Sequence, residues 1–141
     1  MGKPFSHSFI VEGRNFVQAG TASTKIKTML KELGIDGGVV RRVAIATYEA
    51  EMNIVMYANS GTVVLEVTPE VVRLNVNDRG PGISDIDLAM QEGYSTATPE
   101  MREMGFGAGM GLPNIKKNAD DLRIKSTVGE GTNLEITFRI N

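Results

Sequence analysis

The chain has no cysteine, no tryptophan and a single histidine, His7, among its 141 residues. Without cysteine there can be no disulfide and no thiolate metal site, a usage compatible with a reducing cytoplasm. One histidine excludes a multi-histidine zinc site, and so close to the N-terminus it reads as a solvated side chain. No apolar run approaches the ~20 residues needed to span a bilayer. The N-terminus lacks the apolar core of a signal peptide. An excess of one charge is missing too: 15 basic residues stand against 17 acidic ones, a net charge of −2. Nothing therefore draws the whole chain to nucleic acid or to an anionic membrane. Repeats, low-complexity segments and an interdomain linker are also absent from the sequence. What remains is ordinary globular material, 41% hydrophobic and 23% charged, long enough to bury one core without staples. We read residues 1–141 as a single domain.

Periodicity divides the chain. Residues 5–11, FSHSFIV, predict a strand, and 13–19 a second strand or a turn. Ile26, Met29, Leu30 and Leu33 recur at helical spacing over 22–33, with Gly34 as a stop signal. Asp36 opens a longer helix, rich in Ala, Val, Ile and Met, that Asn59-Ser60-Gly61 ends. The β-branched runs 62–67 and 71–76 predict an antiparallel hairpin. NDRGPGI follows as a loop, and Ser84 is the expected cap of a short helix over 85–92. Residues 112–121 predict a helix, and LRIKSTV and NLEITFRI a second hairpin around GEGT. Segregated helices and strands argue for an α+β fold, a two-layer sandwich whose mixed, mostly antiparallel sheet carries helices on one face.

Three stretches carry candidate chemistry. In GFGAGMGL, four glycines alternate from Gly105 to Gly111 just before a helix. Backbone N–H groups at a helix start, aided by the helix dipole, suit a phosphate. Neither the P-loop string nor the dinucleotide fingerprint G-x-G-x-x-G occurs in this segment. In EAEMN, Glu49 and Asn53 are four apart and share a helix face. A carboxylate there can serve as a general base. An amide oxygen can join a Mg²⁺ shell completed by phosphate and water. In DRGPGI, Asp78 follows a strand, and its carboxylate can accept from the amine of adenine but finds no donor at the guanine carbonyl. Each stretch has a blander reading, as a flexible loop, a solvated helix face or a turn.

Taken in order, these stretches and a final Gly131-Thr132 resemble the ATP site of the GHKL superfamily, the Bergerat fold. The N-box is similar to EAEMN, which implies Glu49 as general base and Asn53 as Mg²⁺ ligand. The G1 box matches Asp78, Gly80, Gly82 and Ile83. The G2 box matches Gly105, Gly107, Ala108, Gly109, Met110, Gly111 and Leu112. The G3 position matches Gly131 and Thr132. A lone domain of this length, covering about 8–140, looks like the bacterial anti-sigma factor serine kinases (RsbW/RsbT-like). EGYSTA, GLPNIKK and Tyr57 look closer to the RsbT-like members, while ATPEMREMG at 97–105 makes the lid region longer than theirs.

The resemblance implies a cytoplasmic ATP- and Mg²⁺-dependent protein-serine kinase of a partner-switching system. Its substrate would be a serine on a STAS-domain antagonist, with a sigma factor or a downstream phosphatase as further partners and a homodimer as one possible assembly. An ATP-gated module that sequesters a regulator without phosphoryl transfer, and a stand-alone ATPase, are the competing readings. Residues 94–108 are expected to form a lid over the triphosphate, with Arg102 as its nearest cation. Glu51 points about 160° away from the Asn53 face on an ideal helix, so Glu51→Gln is expected to be nearly silent.

Overall fold

Along the strands the less exposed residues alternate with the more exposed ones, and that alternation lays down a sheet with one apolar face. The computed structural model describes residues 5–91 and 111–140. Its strands are β1 (Phe5–Glu12), β2 (Ser60–Val67), β3 (Val71–Arg79), β4 (Asp121–Thr127) and β5 (Gly131–Arg139). They form one five-stranded sheet in the order β1-β2-β3-β5-β4. All the described pairings are antiparallel, so the sheet expected to be mixed is antiparallel throughout the described residues. Val63, Leu65, Val72, Leu74, Leu134, Ile136 and Phe138 fill its covered face.

Helices α1 (Thr21–Glu32), α2 (Gly37–Tyr57), the short α3 (Ile86–Ala89) and α4 (Gly111–Asn118) complete the fold. α2 packs between α1 and α4 and lies across β1, β2, β3 and β5. Ile26, Leu30, Val43, Ile54 and Ile115 bring the helices onto the sheet. Each such side chain contributes about 1.5–3 kcal/mol by leaving water. Thr68 Oγ1 accepts from the Val71 N–H (3.1 Å) and so closes the β2–β3 hairpin.

Several local expectations are corrected. Of the two readings of 13–19, the turn holds and the strand does not: residues 16–18 form a 3-10 turn. α2 ends at Tyr57, because Ser60 and Gly61 already pair with Arg79 and Asp78. That pairing extends β3 into the predicted loop and leaves Asp78 near the end of a strand. Asp85, not Ser84, caps α3, its Oδ1 accepting from the Leu88 N–H at 3.0 Å.

The largest correction concerns Glu51. Gly20 starts α1 with φ +92° and supplies no side-chain cap. The cap comes from α2 instead. The Glu51 carboxylate accepts from the N–H groups of Gly20 (3.2 Å), Ala22 (3.1 Å) and Ser23 (3.1 Å). It is only 2% exposed. The helical angle between Glu51 and Asn53 is as expected, but the opposite face is covered by α1 and not by solvent.

Candidate functional site

The fold gathers four chain segments at one end of the sheet: the last turns of α2, the end of β3, the first turn of α4 and the start of β5. On α2, Glu49 and Asn53 share a face because they lie four apart, and both are half-buried. Asn114 Nδ2 donates to Glu49 Oε2 at 2.7 Å. This fixes one carboxylate oxygen with a neutral donor and leaves the other without a hydrogen-bond partner among the described residues. Asn53 has no hydrogen-bond partner among the described residues. Its amide lies against the start of α4: a Cβ on Gly111 would stand 3.2 Å from Asn53 Oδ1. Glycine at 111 is therefore a matter of close approach.

Asp78 forms the second wall. Thr132 N–H donates to Asp78 Oδ1 at 3.2 Å. Burial pushes the Asp78 carboxyl above the ordinary aspartate range, and the Thr132 N–H opposes this in part. Gly80 packs on Ala58, where a Cβ would lie 3.1 Å from the Ala58 Cβ and 3.1 Å from Asp78 Oδ1. A Cβ on Gly131 would collide with the Asp78 carbonyl oxygen. Asp78 thus sits between two glycines that let the chains close around its carboxylate.

The loop after β3 is stitched to the β4–β5 hairpin. Ile83 N–H donates to Ser126 Oγ at 2.7 Å. Ser126 Oγ in turn lies in hydrogen-bond contact with Thr132 Oγ1 at 2.8 Å, and Gly129 N–H donates to the Pro81 carbonyl at 2.8 Å. Gly82 has φ +74°, and a Cβ on it would strike the Thr127 carbonyl. That is a left-handed conformation for which glycine is the default residue.

Of the residues singled out in the sequence, Glu49, Asn53, Gly111, Asp78, Gly80, Gly82, Ile83, Gly131 and Thr132 come together here. The Leu112 side chain is buried in the core, so only its backbone is available to the site. Gly105, Gly107, Ala108, Gly109 and Met110, the expected lid over 94–108 and Arg102 lie outside the described residues. Two contributors escaped the sequence reading. Asn114 sits one turn into α4, inside the quoted GLPNIKK, and only tertiary structure brings it to Glu49. Ser126 carries no motif, and its pairing register opposite Thr132 is its sole signal.

Chemically, the arrangement offers a half-buried carboxylate with one oxygen, and an amide, that have no hydrogen-bond partner among the described residues, together with a helix start and a second carboxylate poised to accept. No cluster of three or more His, Cys, Asp or Glu able to hold a metal occurs among the described residues. A cation at Asn53 would therefore take most of its ligands from phosphate and water, which suits Mg²⁺.

Residues 38–141 match the family model of the histidine kinase-, DNA gyrase B- and HSP90-like ATPases. The chain is 32% identical over 113 residues to the serine/threonine-protein kinase RsbT of Bacillus subtilis, covering 77% of this chain and 79% of that protein. It is 33% identical over 114 residues to the anti-sigma F factor of Priestia megaterium, covering 79% of this chain and 65% of that protein. A crystal structure of the RsbU and RsbW domains of a Mycobacterium tuberculosis protein superposes with a TM-score of 0.60 at 18% identity. That likeness covers 99% of this chain and 33% of the other, and it concerns the fold. Among the described residues no helix is long and apolar enough to cross a membrane.

Proposed function

The chain belongs to the histidine kinase-, DNA gyrase B- and HSP90-like ATPase family, and from that premise we propose that it is a cytoplasmic protein-serine kinase of a bacterial partner-switching system. Its substrate is a serine on a STAS-domain antagonist, and its phosphoryl donor is ATP with Mg²⁺. The observation that carries this reading is the Glu49–Asn114 pair beside Asn53. A binding module needs no half-buried carboxylate turned by a side-chain amide at the phosphate end of its site.

In this reading Asp78 accepts from the exocyclic amine of adenine, with its other oxygen held by the Thr132 N–H. Asn53 is the protein ligand of Mg²⁺, which neutralises charge on the phosphates when bound. The N–H groups at the start of α4 face the phosphates. Glu49 takes the proton of the serine hydroxyl as its oxygen bonds to the γ-phosphorus and the bond to ADP breaks. Asn114 keeps the carboxylate turned to that task. Catalysis is mostly positioning and charge neutralisation.

A second reading is supported by the anti-sigma F factor relatives: ATP sets the shape of a surface that sequesters a sigma factor. The deciding experiment incubates the chain with radiolabelled ATP, Mg²⁺ and STAS-domain proteins of the same organism. Label on a serine that disappears with Glu49→Gln supports the kinase. ATP-dependent complex formation without label transfer supports sequestration.

A further inference from the structure

Beyond its contact with Asn114, Glu49 closes the end of an open groove of ≈ 420 Å³ that runs along the exposed side of α2. Lys27 and Lys31 of α1 and Arg41 of α2 line it. Its surface includes Tyr48, a ring 42% exposed to solvent. The three cations are exposed, and none has an ion-pair or hydrogen-bond partner among the described residues. The chain as a whole carries a net charge of −2, yet this lining holds three cations and a single carboxylate, Glu49, at its far end.

We propose that the groove docks the serine-bearing segment of a protein substrate, with acidic side chains of that segment on Lys27, Lys31 and Arg41 and the serine at Glu49. The proposal rests on the kinase reading above. Lys27 and Lys31 are one helical turn apart and present their charges together. Arg41 and Glu49 are separated by about 12 Å of helix axis. An extended chain covers that distance in about four residues. The groove therefore selects an acidic residue about four positions from the serine. Its single carboxylate sits where the partner brings a neutral hydroxyl. A nucleic-acid strand would bring a phosphate to that point and be repelled, which favours an acidic protein segment as the occupant. Exposed ion pairs are each worth about 1.5- to 5-fold in affinity, so the groove gives direction more than strength.

The test has two readouts. In the first, the ¹⁵N-labelled full chain is titrated with a serine peptide bearing glutamates about four positions to either side, spacing taken from the helix rise. Amides of residues 27, 31 and 37–49 should shift. A glutamine version of the peptide, and the triple variant Lys27→Glu, Lys31→Glu, Arg41→Glu, should bind about tenfold more weakly or worse, as three exposed pairs allow. Equal binding of the glutamine peptide overturns the proposal. So do shifts outside the groove, or tighter filling of it by a single-stranded oligonucleotide of equal charge. In the second, phosphoryl transfer to the STAS protein should show a KM for that protein raised about tenfold in the triple variant. Its kcat and the KM for ATP should hold. Transfer with an unchanged KM leaves the kinase standing and removes the docking groove. Acidic-peptide shifts in the groove without transfer to any STAS protein leave the groove standing and remove the kinase.

Discussion

Two glutamates two residues apart on one helix have opposite fates. Glu51 is buried and caps α1 through three backbone N–H groups, whereas Glu49 is half-buried and meets a side-chain amide. Glu51→Gln replaces one acceptor oxygen with an NH₂ facing backbone donors. Hydrogen bonds to a charged group are worth about 1.5–3 kcal/mol each, so this variant should lose about 2–4 kcal/mol in urea unfolding. Glu49→Gln should unfold within about 0.5 kcal/mol of wild type and keep ATP affinity within about threefold. Its phosphoryl transfer should fall by ~10²–10⁴, the usual worth of a general base. If Glu51→Gln folds normally, the cap is not what holds α1. Asp78 offers a different contrast. Asp78→Asn keeps an oxygen for the Thr132 N–H and removes a charge that burial disfavours. The ligand-free chain should therefore be as stable as wild type or more so. Its new NH₂ would face the adenine amine, donor against donor, and ATP affinity should fall at least about tenfold by calorimetry, the cost of one unmade buried hydrogen bond. The wild type should likewise prefer ATP to GTP, and equal affinities would refute the role of Asp78.

At the scale of elements, the site depends on loops that touch through backbone. Gly131→Ala would press a methyl into the Asp78 carbonyl, which must move the start of β5 or the end of β3. We expect a loss of about 2–3 kcal/mol, in the range of overpacked sites, together with weaker nucleotide binding. Ser126→Ala strips the Ile83 N–H of its partner and should weaken ATP binding with little change in global unfolding. Hydrogen exchange at Ile83, faster in the variant, checks it. These elements also show what the sequence could reveal. The strands and long helices were legible because period-2 and helical spacing is a local signal, as in TVVLEV and the α1 stripe of Ile26, Met29 and Leu30. Motif order singled out Glu49, Asn53, Asp78 and Thr132 as site candidates, and a local sequence can do no more than that. The cap on α1, the Asn114 contact and the Ser126 stitch were not. In each, the partners lie tens of residues apart, as with Gly20 and Glu51 or Glu49 and Asn114. The misplaced boundaries have the same origin: pairing with Gly61 carries β3 on to Asp78 and past it, against a local sequence that reads as turn.

For the whole molecule, acid should separate binding from folding. Asp120 ties the sheet to α2. The Arg139 N–H donates to its Oδ2 at 2.6 Å, and the Arg42 guanidinium lies 3.5 Å from the same oxygen. The Arg139 N–H is the main reason its carboxyl is held below the ordinary aspartate range. Slight burial opposes the shift and the Arg42 charge adds to it. A carboxyl lowered by folding adds stability above its unfolded pKa and loses it as pH falls through the folded value. Asp78 has the reverse sign: burial raises its pKa, so its protonation favours the fold on acidification, and its charge is neutralised before that of an ordinary aspartate. As pH falls from neutral, Asp78 should therefore protonate first, while the Asp120 contact still holds. A window results, between the raised Asp78 midpoint and the lowered Asp120 midpoint, in which the chain stays folded but the charged acceptor for adenine is gone. Carboxyl ¹³C NMR, with Asp78→Asn to assign the resonance, should give Asp78 the higher midpoint of the two. Circular dichroism through the same range should remain native until Asp120 titrates, and Asp120→Asn should flatten that later acid limb. If the fold opens before the Asp78 resonance moves, burial does not govern that carboxylate, and its place in the nucleotide site has to be redrawn.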